Sequence, residues 1–149
     1  MARPIEQYAL VGDTRTAALV GLDGSVDWLC LPDFDDPACF AALLGDEDNG
    51  RWLVAPEGEV TAVSRRYRGD TLVLETTFTT PGGVVSVVDF MPPRQGVPML
   101  VRVVVGRSGT VRMTSDLRIR FDYGSIVPWV RHIEEGIVAV GGRDGLALR

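Results

Sequence analysis

Asp23-Gly24-Ser25-Val26-Asp27-Trp28-Leu29-Cys30-Leu31 carries the reading on which the fold turns. An Asp-Gly pair between two alternating apolar runs is the strongest short-range signal for a hairpin. Residues 16–20, Thr-Ala-Ala-Leu-Val, form the first arm and residues 25–31 the second. Side chains alternate along a strand, so the second arm is expected to send Val26, Trp28 and Cys30 to one face and Asp27, Leu29 and Leu31 to the other.

Downstream, the spacing predicts one short helix near residues 37–44. Asp36 stands as its N-cap, Pro37 at the first helical position and Gly45 just past its end, with Phe40, Leu43 and Leu44 on the core side. Period-two patterning then returns over residues 51–55, 60–68, 71–80, 84–91, 99–106, 110–122, 126–134, 137–140 and 146–149. Turn chemistry separates these runs at Pro81-Gly82-Gly83, Arg107-Ser108-Gly109, Glu134-Glu135-Gly136 and Arg143-Asp144-Gly145. Short strands joined by glycine-rich turns specify an all-β fold, an antiparallel β-sandwich.

A chain of 149 residues, 46% hydrophobic, supports one core, so residues 1–149 are read as a single domain. Its last residues, Gly145-Leu146-Ala147-Leu148-Arg149, read as a strand just begun. The expectation is a piece of a longer chain whose open sheet edge permits self-association. Net charge is −5 and the arginines are scattered, which argues against nucleic acid as a partner. The apolar runs are too short to cross a bilayer and residues 1–7 lack the apolar stretch of a secretory signal, so no membrane partner and a cytoplasmic location are expected.

Cys30 and Cys39 lie among apolar neighbours and are read as buried free thiols, and one histidine, His132, leaves no zinc ligand set. Asp27, Asp33, Asp35 and Asp36 are the place to look for paired acid and base carboxylates, yet Asp36 is explained as a cap and the others as solvated loop groups. Gly12-Asp13-Thr14-Arg15-Thr16 lacks the glycine spacing and lysine of a nucleotide loop and reads as a turn, with Arg15 available to Asp13 or to a ligand anion. Trp28 and Trp52 are assigned to the core; Trp129, beside Arg131 and His132, is left open between core and surface.

Three stretches together resemble the amino-terminal domain of bacterial glycoside hydrolase family 15 proteins, the trehalase and glucoamylase type. They are residues 8–20, Tyr-Ala-Leu-Val-Gly-Asp-Thr-Arg-Thr-Ala-Ala-Leu-Val; residues 23–32, Asp-Gly-Ser-Val-Asp-Trp-Leu-Cys-Leu-Pro; and Phe34-Asp35 with residues 37–45, Pro-Ala-Cys-Phe-Ala-Ala-Leu-Leu-Gly. Around Phe34-Asp35 the family pattern carries a basic residue and a serine where this chain has Asp33 and Asp36.

The resemblance implies a supersandwich-like domain placed before an (α/α)6 barrel that hydrolyses α-linked glucosides by inversion. The two catalytic glutamates belong to that barrel, flanking a water between carboxyls roughly 6.5–9.5 Å apart. No residue here matches either, so no catalytic residue is expected in this chain, and its partners are the barrel of the same polypeptide and, through it, an α-glucoside. The resemblance also implies that Arg15, Asp27, Trp28, Phe34 and Asp35 line the mouth of the barrel's pocket. Phosphate and magnesium are implied for the parent enzyme only; no cofactor and no metal site are expected in this chain. The alternative is a free-standing carbohydrate-binding or structural sandwich, the former showing at least two aromatic faces in one exposed plane.

Overall fold

The computed structural model describes residues 3–149. Its first sheet grows outward from the Asp-Gly turn: β2 (Ala17–Gly21) and β3 (Ser25–Cys30) pair antiparallel, and β1 (Tyr8–Gly12) adds beside β2. On the other side β5 (Arg51–Pro56) and then β10 (Met113–Arg118) extend the sheet, while β4 (Ala38–Phe40) pairs with the far end of β3. A second sheet is the meander β6 (Ala62–Tyr67), β7 (Leu74–Thr80), β8 (Gly83–Phe90) and β9 (Val101–Gly109). A third comprises β11 (Trp129–Ile133), β12 (Gly136–Gly141) and β13 (Asp144–Leu148). Every strand pairing is antiparallel, and the all-β sandwich read from the sequence stands.

Apolar residues from all three sheets meet in one main core. Val11, Val20, Val26, Leu29 and Phe40 of the first sheet pack with Leu74 of the second and Ala139 of the third. A smaller cluster, Val54 with Phe78, Val85 and Val87, joins the first two sheets, and Trp52 bridges both clusters. Cys30 and Cys39 are buried free thiols, as expected.

Three expectations are corrected. No helix forms over residues 37–44. Ala38–Phe40 is strand β4, with Leu29 opposite Phe40 and Cys30 opposite Ala38, and Ala42–Leu44 is a single 3-10 turn. A helix of two turns is marginal by itself, whereas the strand buries Ala38, Cys39 and Phe40 on both of its sides and pairs with β3. Asp36 accepts instead from the backbone N–H of Asp33. Second, the alternation along β3 shifts at a bulge. Leu19 faces Trp28 while Val20 faces Val26, leaving Asp27 as the extra residue. Val26, Leu29 and Leu31 therefore share the main core, whereas Trp28 packs with Cys30, Ala38 and Ala41. Third, Arg107-Ser108-Gly109 is not a turn, because β9 runs on to Gly109 opposite Gly83; the chain then crosses to the first sheet through residues 110–112.

No helix among the described residues is long and apolar enough to cross a membrane.

Candidate functional site

The five residues expected to line a pocket fall into two groups on the first sheet. Arg15, Phe34 and Asp35 lie at one end, where the β1–β2 loop meets the segment leaving β3. The β1–β2 loop is shaped by Asp13, whose Oδ1 accepts the backbone N–H of Arg15 and of Thr16, each at 2.9 Å. Aspartate favours such turns because its short side chain reaches its own backbone two or three residues on.

What locks the two segments together is Arg94, from the loop between β8 and β9. Its Nε donates to Asp13 Oδ2 at 2.8 Å, its Nη1 to Asp33 Oδ1 at 2.9 Å, and its Nη2 to the carbonyl of Pro32. The rigid planar fork of arginine suits this three-way grip. Arg94 is 6% exposed in its side chain and Asp13 1%. Burial acts to lift the Asp13 carboxyl, but the hydrogen bonds from Arg94 and the two loop N–H groups outweigh it and hold the pKa below its ordinary value. Arg15 donates from Nη2 to Asp33 Oδ2 at 2.8 Å, so its partner is Asp33 and not Asp13. The backbone N–H of Phe34 donates to the Arg15 carbonyl at 2.9 Å, which lifts the Phe34 ring out of the fold, 60% exposed, with Asp35 exposed beside it.

Asp27 and Trp28 are placed elsewhere by the bulge in β3. Asp27 is 7% exposed and accepts from the Tyr8 hydroxyl at 2.7 Å and from the Ser25 hydroxyl. Burial and the Asp27 carboxylate raise the Tyr8 pKa, so that hydroxyl keeps its proton. Trp28 is half-buried, its ring 6.0 Å from that of Tyr123 and tilted by 38°. Trp52 is likewise half-buried against the core, whereas Trp129 is 85% exposed. Trp28 with Tyr123 is a tilted contact and not a flat stacking platform.

Three carboxyls are tuned away from the acid role. A general acid needs a raised carboxyl pKa. Asp13, Glu75 and Asp116 are all lowered by arginine neighbours. The described residues contain no group of three His, Cys, Asp or Glu placed together as metal ligands would be. Arg94 and Tyr8 escaped the sequence reading. Arg94 sits in a Pro-Pro-Arg loop about eighty residues from Asp13, beyond any local pattern; Tyr8 gave a weak signal by alternating with Leu10 at a strand start.

Comparison with known proteins then supplies the family. The model of the family described as trehalase-like, N-terminal, matches residues 1–149. The chain is 34% identical over 139 residues to a trehalase of Mycolicibacterium smegmatis, covering 80% of this chain and 21% of the relative. It is 33% identical to a trehalase of Mycobacterium tuberculosis, covering 80% and 20%, and 28% identical to a trehalase of Thermoplasma volcanium, covering 97% and 24%. The chain thus spans between a fifth and a quarter of the length of these relatives. No solved structure matches. With its sandwich of antiparallel sheets and the match running over all 149 residues, the chain belongs to the trehalase-like, N-terminal family.

Proposed function

We propose that this chain is the non-catalytic amino-terminal sandwich of an α-glucoside hydrolase of trehalase or glucoamylase type, and that it packs on and shapes the active site of an (α/α)6 barrel in the same polypeptide. One observation carries the reading: the family match fills the chain, while relatives named trehalase are four to five times longer. The lowered carboxyls support placing bond cleavage outside this chain. The rigid end built by Arg94, with Arg15, Phe34 and Asp35 at its tip, supplies the loop offered to the barrel's mouth. Asp27 and Trp28, placed further along the first sheet by the bulge in β3, are assigned to the same lining. Phosphate and magnesium remain assigned to the parent enzyme. The two unpaired buried cysteines favour the cytoplasm. The edge strand β13, paired with β12 alone among the described residues, is the edge through which copies would associate.

Glucose release from trehalose and from maltooligosaccharides, compared between the longer polypeptide and this chain, tests the reading. Turnover is expected from the former alone; turnover by the purified 149-residue chain overturns it.

A further inference from the structure

The two sides of the sandwich are finished differently. On one side the edge strands β1 and β6 are tied together. The Tyr67 hydroxyl donates to the Leu10 carbonyl at 2.8 Å and accepts the Leu10 N–H at 3.0 Å, and Arg65 Nη1 donates to the carbonyls of Gln7 and Val20. On the other side β9 is the edge of the second sheet, paired with β8 alone among the described residues. Every second N–H and carbonyl of such a strand points away from its neighbour, and an uncovered edge leaves them to water.

β9 lacks the devices that commonly guard an edge. Residues 101–109, Val-Arg-Val-Val-Val-Gly-Arg-Ser-Gly, hold no proline and no lysine. The two charges in the strand are engaged elsewhere, Arg102 with Asp89 and the first sheet, Arg107 with Glu75 and Ser86. A register shift opposite Val84 and Val85 bends only the far end, so residues 101–105 stay in regular pairing with residues 86–90.

Burial at this edge is uneven. Val103 and Val104 lie opposite Val88 and Val87, both buried, yet they are themselves 43% and 47% exposed. Successive residues point to opposite faces, and Val104 shares with Val87 the face turned to the core. Arg102 is half-buried as a residue although its side chain is 1% exposed, so its accessible part is main chain. Contacts are therefore short on both faces of the strand and along its backbone.

One kind of neighbour supplies all three, another strand. We propose that β9 is a docking edge for one further extended segment of the longer polypeptide, which adds beside residues 101–105 as a fifth strand of the second sheet. That segment carries apolar side chains on both of its faces, because it must cover Val103 on one and Val104 on the other. A second copy is the poorer occupant. A single strand edge offers much less than the ~800 Å² per partner of a stable complex between free proteins, whereas a tether supplies an effective concentration on the order of millimolar. The relatives named trehalase are four to five times as long as this chain, which leaves polypeptide for the purpose. The added strand rests on the reading of a longer polypeptide proposed above, and names where that polypeptide attaches.

The test is backbone amide exchange, residue by residue, in the 149-residue chain and in the longer polypeptide. Alternate amides over residues 101–105 should exchange at least about tenfold more slowly in the longer form, with β7, internal in both, as the reference. Val104→Lys should leave the unfolding midpoint of the 149-residue chain unchanged and remove the added protection from the longer form. If Val104→Lys disturbs the chain by itself, Val103→Lys, on the outer face, reads the same loss. Equal rates at these amides in the two forms overturn the proposal, and so does added protection that neither lysine alters. Protection that appears in the 149-residue chain as its concentration rises also overturns it, since a second copy is then the occupant. Glucose release by the longer polypeptide alone, with equal rates along β9, would remove the added strand and keep the assignment of the chemistry to the barrel.

Discussion

Asp89 on β8 and Arg102 on β9 face each other in register, and Arg102 reaches past its partner to tie the second sheet to the first. Its Nε lies 2.7 Å from Asp89 Oδ1, Nη2 donates to the Gly24 carbonyl at 2.6 Å, and Nη1 donates to the carbonyl of Trp52. The guanidinium also sits over the Trp52 ring, 5.2 Å from its centroid. With side-chain exposures of 1% and 0%, neither charge is screened by water. Removing one member strands the other, so Arg102→Met should destabilise the fold by roughly 3–5 kcal/mol in urea unfolding. Adding Asp89→Leu removes the stranded carboxylate, and the double variant should recover part of that loss. A double variant as unstable as Arg102→Met would show that the pairing is not the origin.

Gly24 stands at the same junction. Its φ is +86°, and a Cβ built there would lie 2.3 Å from the Val54 carbonyl oxygen. Gly24→Ala therefore combines an unfavourable backbone region with a clash against a strand. A loss of about 2–4 kcal/mol is expected from the two together, read from the urea midpoint. A loss under about 1 kcal/mol would mean that β5 yields easily at this point.

Cys39 predicts the alkaline limit of stability. Burial pushes its thiol pKa up to about 12, and the neighbouring Cys30 adds to the shift. The unfolded thiol titrates near ~8.5, so between about pH 8.5 and 12 the unfolded chain releases a proton that the folded chain keeps. Stability contributed by the protonated thiol is full below that window and falls as pH rises through it. Cys39→Ala should flatten this slope while costing some packing, and Ellman's reagent at pH 8 should label native Cys39 far more slowly than the denatured chain.

Glu75 predicts the acid limit. The hydrogen bond from Arg68 lowers its pKa first of all, and Arg66 and Arg107 add to the effect around a carboxylate 5% exposed. Its contribution is present above the unfolded value of about 4.3 and is lost as pH falls through the lower folded value. Glu75→Gln should lower stability at pH 7 and flatten the acid side of the stability curve; parallel acid curves for the two proteins would remove Glu75 as the cause.

These features differ in how far the sequence reveals them. The Asp23-Gly24 hairpin and the strand runs are local, set by turn chemistry and period two, and the structure keeps them. Residues 37–44 carried sound helix signals at Asp36, Pro37 and Gly45, yet pairing of Ala38–Phe40 with β3 outweighed a helix too short to hold itself. The face assignment along β3 held to Val26 and failed beyond it, since one extra residue in a strand moves every later side chain across the sheet. Arg94 and Arg102 act through contacts spanning 50 to 81 residues, which no local window contains.

Arg94 yields the prediction closest to function. Among the described residues it alone connects the β8–β9 loop to both Asp13 and Asp33, and those two carboxylates hold the segments from which Arg15 and Phe34 project. Arg94→Met keeps the aliphatic stem and removes all three donors, so the tip should loosen while the sheets persist. Amide exchange at Asp33, Phe34 and Asp36 should quicken by about tenfold or more, with exchange in β7 and β8 unchanged. Arg94→Lys should restore little, because a single ammonium cannot span two carboxylates and a carbonyl in the geometry of the fork. In the longer polypeptide the same variant should change KM more than kcat if the tip shapes the barrel's mouth, since a positioning loop touches bound substrate and not the bond being broken. Faster exchange at the tip with both constants unaltered would leave Arg94 as a structural clamp and remove the tip from the active site.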